Sequence, residues 1–399
     1  MTCWQHIKQE WHFIADSAWL KALLFWIPVF LAIIIWAVFS KGIASNLAIG
    51  VVDHDNSLIS RGLIRAYDAT PSLQINNHFS SVQNASLALK EGSIYAYVII
   101  PEGLERDTLL GKSPQVTAFY NSQFILIGKL VSSALLSAHS FYVAQLDTLN
   151  DLVDSHGQLS EAIAEAVPIA YQITPLFNSN SHYGQFLVAA VIPAMWQILI
   201  IATLVIVVAA PMRADQSNHW LIGLNMTTLI KRLSLYLLIF WLQGIIFVSV
   251  FYGVLAWPMH GSWLLLIMGQ FLLVLACAAV ATLLFFITLD VTRAMSLVAG
   301  LTAPAFAFMG VTFPSTDMPF IAQLWRSILP ISHYISIQIQ QVNYASSLTA
   351  SVSHYLALGA FISCFYVTKI ILIKRQKVAE LAHLNSIVES TPYDTKRLD

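Results

Sequence analysis

Charge is what this chain is short of. Asp, Glu, Lys and Arg supply 10% of its 399 residues, where a soluble domain carries about 25%. Apolar types make up 57% and the mean hydropathy is +0.69. A wholly soluble chain is excluded, and a membrane protein is implied. The formal net charge of −1 provides no basic surface for a nucleic-acid partner. Cysteine is scarce too: Cys3, Cys277 and Cys364 are scattered, with none between residues 40 and 185. That long polar stretch has no disulfide framework and must build its own core.

Signatures of catalysis are also missing. No H-E-x-x-H or paired Cys/His spacing occurs, and His78, His139, His156 and His182 stand alone. No metal site is expected from such spacing. "LLGKSPQ" (109–115) contains the Gly-Lys-Ser that ends a phosphate-binding loop. The loop needs a glycine where Arg106 stands, and Pro114 would break the helix that must follow. The chain is therefore read as no enzyme, with no catalytic residue, no cofactor of its own and no ATP hydrolysis.

What is present is a series of apolar runs. Residues 22–39, "ALLFWIPVFLAIIIWAVF", lie unbroken between Lys21 and Lys41. As a helix they would cover about 27 Å, close to a bilayer core. The segment before them, 1–21, is too long and too mixed in charge for a cleaved leader, so the run reads as a signal anchor. Further runs fall at 186–211, 233–257, 263–289, 294–310 and 352–373, giving six spans. Their cores hold no Asp, Glu, Lys or Arg, and Lys369 is near enough to an end to snorkel. Gln197, Gln243 and Gln270 are the polar groups there, suited to hydrogen bonding between helices. Without intramembrane charge, an ion-coupled carrier lacks its coupling groups.

Basic residues set the orientation. Arg213, Lys231 and Arg232 flank the 212–232 loop, Arg293 sits in the next turn on that side, and Lys374, Arg375 and Lys377 follow the last span. The opposite loop, "PMHGS" at 258–262, has no Lys or Arg. Both termini, with the tail 374–399, are then cytoplasmic, and residues 40–185 lie outside.

The outer stretch alternates strand and helix signals. "LAIGVV" (47–52), "YAYVII" (95–100) and "VTAFY" (116–120) are β-type runs. Between them, Leu58, Leu63, Ile64 and Tyr67 share one helix spacing, and Val82, Ala85 and Leu89 another. A β-α-β-α-β unit is expected, followed by a long helix from about Phe124 to Val153, with Pro168 and Pro175 ending the domain. Asp53 and Asp55 in "IGVVDHDNS" could open a metal-dependent phosphotransferase site. They fit equally simply as a strand-to-helix turn in which Asn56 or Ser57 caps the next helix. No ATP pool exists outside, which favours the turn.

Two other segments invite function. Residues 311–345 carry Phe313, Pro314, Met318, Pro319, Pro330, His333 and Tyr334. They are too polar to cross a bilayer and too apolar for a plain loop, so a re-entrant outer rim is expected. In the 212–232 loop, Trp220, Leu221, Ile222, Leu224 and Met226, followed by Lys231, form an apolar cluster suited to docking a cytoplasmic partner.

The chain resembles the permease subunits of type-2 ABC exporters, in the branch with a large periplasmic domain. The resemblance rests on "IGVVDHDNSLISRGLIRAYDATPSLQI", "GSIYAYVIIPEGLERDTLLGKSPQV", "TPLFNSNSHYGQFLVAAVIP" and "GVTFPSTDMPFIAQLWRSILPISHYI", in that order. It implies a polytopic α-helical protein with six transmembrane helices and an α/β domain between the first and second. It implies two cytoplasmic ABC ATPase subunits that bind ATP and Mg, and a second permease, identical or a similar paralogue. It also implies a periplasmic membrane-fusion adaptor and an outer-membrane duct, in a bacterial inner membrane. The 213–222 stretch, "RADQSNHWLI", departs from the family's acidic, glycine-containing opening; Asp215 is its only acid. The ATPase contact is thus assigned by location. Spans 186–211 and 294–310, with Met195, Gln197, Phe306 and Phe308, are expected to line the cleft between permeases. The expected cargo is an apolar or amphipathic compound. A membrane-anchored scaffold or receptor, or a secondary carrier, are the alternatives. If the two aspartates only shape a turn, Asp53→Asn with Asp55→Asn preserves transport in membrane vesicles. Complete loss at normal membrane abundance and assembly would restore the active-site reading.

Overall fold

The computed structural model describes residues 3–40, 42, 44–154, 176–178, 182–214 and 219–390. The expected domain end at Pro168 and Pro175, together with His156 and Asp215, lies outside the described residues. The chain divides into two compact units, Ile43–Thr174 and Met1–Gly42 with Pro175–Asp399. Helices α1 (Cys3–Asp16) and α2 (Ala18–Val38) open the second of these. Ser17 between them caps α2 by accepting the Leu20 N–H at 3.3 Å.

The 43–174 unit is an α/β layer structure. Strand β1 (Leu47–Asp53) leads to α3 (Leu58–Asp68), β2 (Leu73–His78), α4 (Val82–Lys90) and β3 (Ala96–Ile100). Then come α5 (Leu104–Leu109), the antiparallel edge strand β4 (Thr117–Tyr120) and α6 (Ile125–Asp154). The strand order is β2-β1-β3-β4. Central β1 and β3 are parallel and covered on both faces, which is why both read as near-continuous apolar runs. Ile49, Val51, Val98 and Ile100 pack with Val131, Leu135 and Ala138 of α6, while Val52 and Tyr97 pack with Ala85 and Ala88 of α4. Strand β2, "LQINNH", was not expected. It is an edge strand with a mostly exposed polar end, so it lacks the apolar signal of a covered strand.

The β1–α3 turn explains its aspartates. Asp53 Oδ1 accepts the N–H groups of Asp55 and Asn56, each at 3.0 Å, and Oδ2 accepts the Ser60 hydroxyl at 2.8 Å. Ser57 is the N-cap, accepting the Ser60 N–H at 3.1 Å. Asp55 reaches across the sheet end and accepts the Glu105 N–H at 3.1 Å. All these bonds are internal, and they tie β1, α3 and α5 together. On the far side of α3, Gly62 lets α6 approach: a Cβ there would meet the Tyr142 hydroxyl at 2.0 Å. That hydroxyl donates to the Ile59 carbonyl, while Tyr67 Oη and His139 Nδ1 lie 3.0 Å apart.

The remaining helices are α7 (Gly184–Met212), α8 (Met226–Val254), α9 (Trp263–Thr288) and α10 (Val291–Phe308). After two short helices, α11 (Phe320–Ser327) and α12 (Pro330–Val342), the chain ends in α13 (Leu348–Leu381), which continues helically to Ser390. Helix α9 is central, packing on α7, α8, α12 and α13. Its middle, including Ala276, Cys277, Ala278 and Ala281, is fully enclosed, because small side chains let neighbouring backbones close in. Asp290 caps α10 by accepting the Arg293 N–H at 2.7 Å, directly after Leu289 ends α9 in a left-handed conformation (φ 49°). Single π-turns interrupt α2, α7 and α8 at Ala22–Trp26, Gly184–Val188 and Val250–Val254.

Seven helices are long and apolar enough to cross a membrane among the described residues, against six expected: α2, α7 to α10, α13, and Ile125–Leu146 within α6. The seventh lies within the long helix expected from about Phe124 to Val153, and its apolar stripe, Val131, Ala134, Leu135 and Ala138, packs in the α/β core.

Burial alone would raise the Asp55 carboxyl, but hydrogen bonds from Ser57 and from the backbone of Glu105, Gly103 and Leu104 outweigh it and hold the group below the usual carboxylate range. A folded-state depression of this sign stabilises above the unfolded pKa of about 3.9 and is lost as pH falls through the folded value. Hydrogen-exchange protection of peptides spanning 53–60 and 103–107, relative to the intrinsic rate at each pH, is therefore expected to fall below about pH 4. Asp55→Asn should flatten that acid dependence; an unchanged profile in the variant would refute the assignment.

Candidate functional site

The 311–345 segment begins after Gly310, which adopts φ 89°, a left-handed turn that a side chain would strain. Phe313 and Pro314 are exposed, a 3-10 turn covers Ser315–Asp317, and Met318 tucks inward before Pro319 starts α11. Helix α12 then enters the helical core. Of its 13 residues, all but Ser336, Ile339 and Gln340 are buried, including Pro330, His333 and Tyr334.

A short helix buried in apolar surroundings must have its free terminal N–H and C=O groups met by partners. Gln197 and His260 meet one such group at each end, and side chains of α12 in turn bond backbone groups of its neighbours. Gln197 of α7 accepts the Ile331 N–H at 2.8 Å, acting as a cap from a neighbouring helix. Gln338 Nε2 donates to the Ala189 carbonyl at 2.7 Å, beside the Tyr252 hydroxyl at 3.4 Å. Gln341 accepts the Ser262 N–H at 3.2 Å and donates to the Ser346 carbonyl at 3.0 Å. His260 N–H donates to the Val342 carbonyl at 3.1 Å, and its Nδ1 lies 2.8 Å from the same oxygen.

Beside α12 is a cavity of about 250 Å³. Its walls mix amides (Gln185, Gln338, Asn343) and Tyr252 with apolar Phe186 and Ile335. Gln185 and Phe186 lie on one π-turn and Tyr252 on another. Such turns swing side chains out of the regular helical order, and they recur at functional sites.

At the other end of this unit, the turn before α8 holds His219–Leu221 in a 3-10 turn. Leu221 is buried, and Trp220, Leu224 and Met226 pack against the same core, Trp220 facing Phe285 with ring centroids 6.3 Å apart. Gln376 of α13 donates to the carbonyls of both Leu221 and Leu224, each at 2.8 Å. On the α8 side, Arg232 Nε lies 3.1 Å from the Glu10 carboxylate, without the alignment of a hydrogen bond, and stands over the Phe13 ring at 5.6 Å. The Tyr236 hydroxyl donates to Glu10 at 2.9 Å.

Residues 19–371 match the sequence profile of the ABC-2 family transporter proteins. The chain belongs to that family. No curated protein and no solved structure matches it. The ABC-2 chain is accordingly a multi-pass membrane protein of the permease-subunit class, whose membership implies an ABC ATPase partner.

In this permease the residues assigned from sequence fall into two places. One set (Phe313, Pro314, Met318, Pro319, Pro330, His333, Tyr334) forms the turn at 310–319 and the first half of α12. The 212–232 set does not present a free apolar cluster. Met226 and Lys231 already belong to α8, and Trp220, Leu221 and Leu224 turn into the core, leaving Ile222 partly exposed beside the exposed Gly223 and Asn225. The turn is too short to bury its apolar residues against itself, so it uses the bundle. Gln197 is fully enclosed within the protomer as the partner of Ile331, while Met195, Phe306 and Phe308 are half-buried.

Gln376 and the Glu10–Arg232–Tyr236 group escaped the sequence reading. Their partners lie 152 to 226 residues away, and no local pattern marks them. Gln376→Leu strips the Leu224 carbonyl of its donor and leaves the Leu221 carbonyl with the Leu224 N–H alone, a loss of about 1–3 kcal/mol for the group left unmet. Faster hydrogen exchange at 221–226 is expected, with α9 unaffected. Protection equal to that of the parent would show that the clip does not hold the turn.

Proposed function

We propose that this chain is the membrane-spanning permease of an ATP-driven exporter that moves an apolar or amphipathic compound outward. Six helices cross the bilayer, α2, α7, α8, α9, α10 and α13, with both termini in the cytoplasm of a bacterial inner membrane. The 43–174 unit lies in the periplasm, with α6 part of its core. The observation that carries the reading is the family match over residues 19–371, joined to spans whose interiors hold neutral amides in place of charge. Gln243 accepts from the Trp196 indole at 3.2 Å and Gln270 donates to the Gly244 carbonyl at 2.9 Å. Both are occupied in helix packing, which leaves ion coupling without a carrier group.

The energy then comes from outside the chain. Two ATPase subunits hold ATP and Mg and act on the turn at 219–225. A second permease copy or a similar paralogue completes the pathway. The re-entrant turn and the cavity beside α12 form its outer rim, where polar amides beside apolar walls suit an amphipathic cargo. A periplasmic adaptor and an outer-membrane duct extend the route. The full-length protein, tagged and extracted in mild detergent, should bring down an ABC ATPase in equal amount. Transport in inverted vesicles should need ATP and survive collapse of the proton gradient. No ATPase in the pull-down, or transport that follows the gradient without ATP, would overturn the proposal.

A further inference from the structure

Arg326 closes α11 and turns toward the interior. Its Nη2 donates to Ser336 Oγ on α12 at 2.7 Å, and its Nε is buried with no partner. Gly310 leaves room on that flank: a Cβ there would lie 3.5 Å from Nε. The ion pairs among the described residues are Arg106–Asp107, Lys112–Asp107 and Arg232–Glu10, so none neutralises Arg326. A guanidinium cannot shed its charge, and holding it partly off water without a counter-charge is unfavourable. An anion from outside the chain completes the arrangement.

Two histidines share the neighbourhood, within Coulombic reach of Arg326. His333 Nε2 lies 3.0 Å from the Ser327 carbonyl oxygen, which can only accept, so Nε2 carries the proton. His333 Nδ1 then faces His354 Nδ1 at 3.5 Å. Two imidazole nitrogens so close could hold a metal cation. The charge of Arg326 opposes that, and among the described residues no third His, Cys, Asp or Glu joins them. A negatively charged ligand suits the Arg326 guanidinium.

The opposite face of α11 is apolar. Phe320 and Ile321 are each 79% exposed, with Leu324 and Ile328 along the same helix. A cationic group on one side of a short helix and bare hydrocarbon on the other match a molecule with a charged head and an apolar tail. The geometry points to a site for the anionic headgroup, a phosphate or carboxylate, of an amphiphile. Arg326 is its charge partner. As a statement about cargo this rests on the exporter reading; as a statement about binding it stands without it.

The full-length protein in phosphatidylcholine nanodiscs, titrated calorimetrically with dodecyl phosphate, tests the site. Binding is expected, with inorganic phosphate and dodecyltrimethylammonium far weaker. Arg326→Gln should weaken dodecyl phosphate by about ten- to hundredfold, the scale of a lost charge-assisted hydrogen bond, and Arg326→Lys should retain most of the affinity. Equal binding of the cationic detergent, or of inorganic phosphate, overturns the proposal. So does an unchanged affinity in a Gln variant that elutes as a single folded species. If that variant does not fold, phosphatidylglycerol discs decide on the parent protein: an anionic lipid must compete with the probe, and absence of competition refutes the site. ATPase capture is scored on the same preparation. A failed titration thus leaves the permease reading standing, and a failed capture leaves the binding result standing.

Discussion

A bilayer interior offers no water to a backbone, and the helical unit is organised by that fact. Spanning helices satisfy themselves except at their ends, which reach the interface. Helix α12 does not have that option, because it is short, buried and bounded by Leu329 and Asn343 well inside the sequence of the unit. Its termini are met by side chains from elsewhere: Gln197 from α7 at the start, His260 and the loop before α9 at the end. The glutamines along these helices are therefore structural pins. Removing one would strand a backbone group where nothing else can reach it, and the pieces most exposed to such loss surround the amide-lined cavity.

The turn at 219–225 shows a related logic. Its residues are too few to form a core of their own. The chain solves this by lending the turn to the bundle. Trp220, Leu221 and Leu224 anchor it from within, and Gln376 fixes its carbonyls from α13. Arg232 and Glu10 then bind α8, the helix that continues from the turn, to the N-terminal α1. Both chain ends thereby hold a segment that lies mid-sequence.

Much of this was legible in the residues, and the reasons are physical. Long apolar runs report spans because hydrocarbon selects composition directly, and the six runs fall in helices. The aspartate turn was readable because Asp53 acts on neighbours one to three residues away, so its hydrogen bonds are local. What stayed hidden depends on distant partners. Edge strand β2 is held by the register of β1 more than by its own side chains. The inward turn of Trp220 and the clip by Gln376 follow from tertiary packing that no window of sequence contains. The stripe on α6 is apolar enough for a span and also packs in an α/β core, because hydropathy cannot tell hydrocarbon from a packed sheet.

The neutral interiors of the spans have an electrical consequence. A formal charge carried through the full membrane field gains or loses about 2.3 kcal/mol per 100 mV. Helices α7 and α9, whose windows hold no Asp, Glu, Lys or Arg, can tilt or slide without moving charge through that field. Their motion is then blind to membrane voltage. A fall in membrane potential leaves the positions of these two helices unbiased.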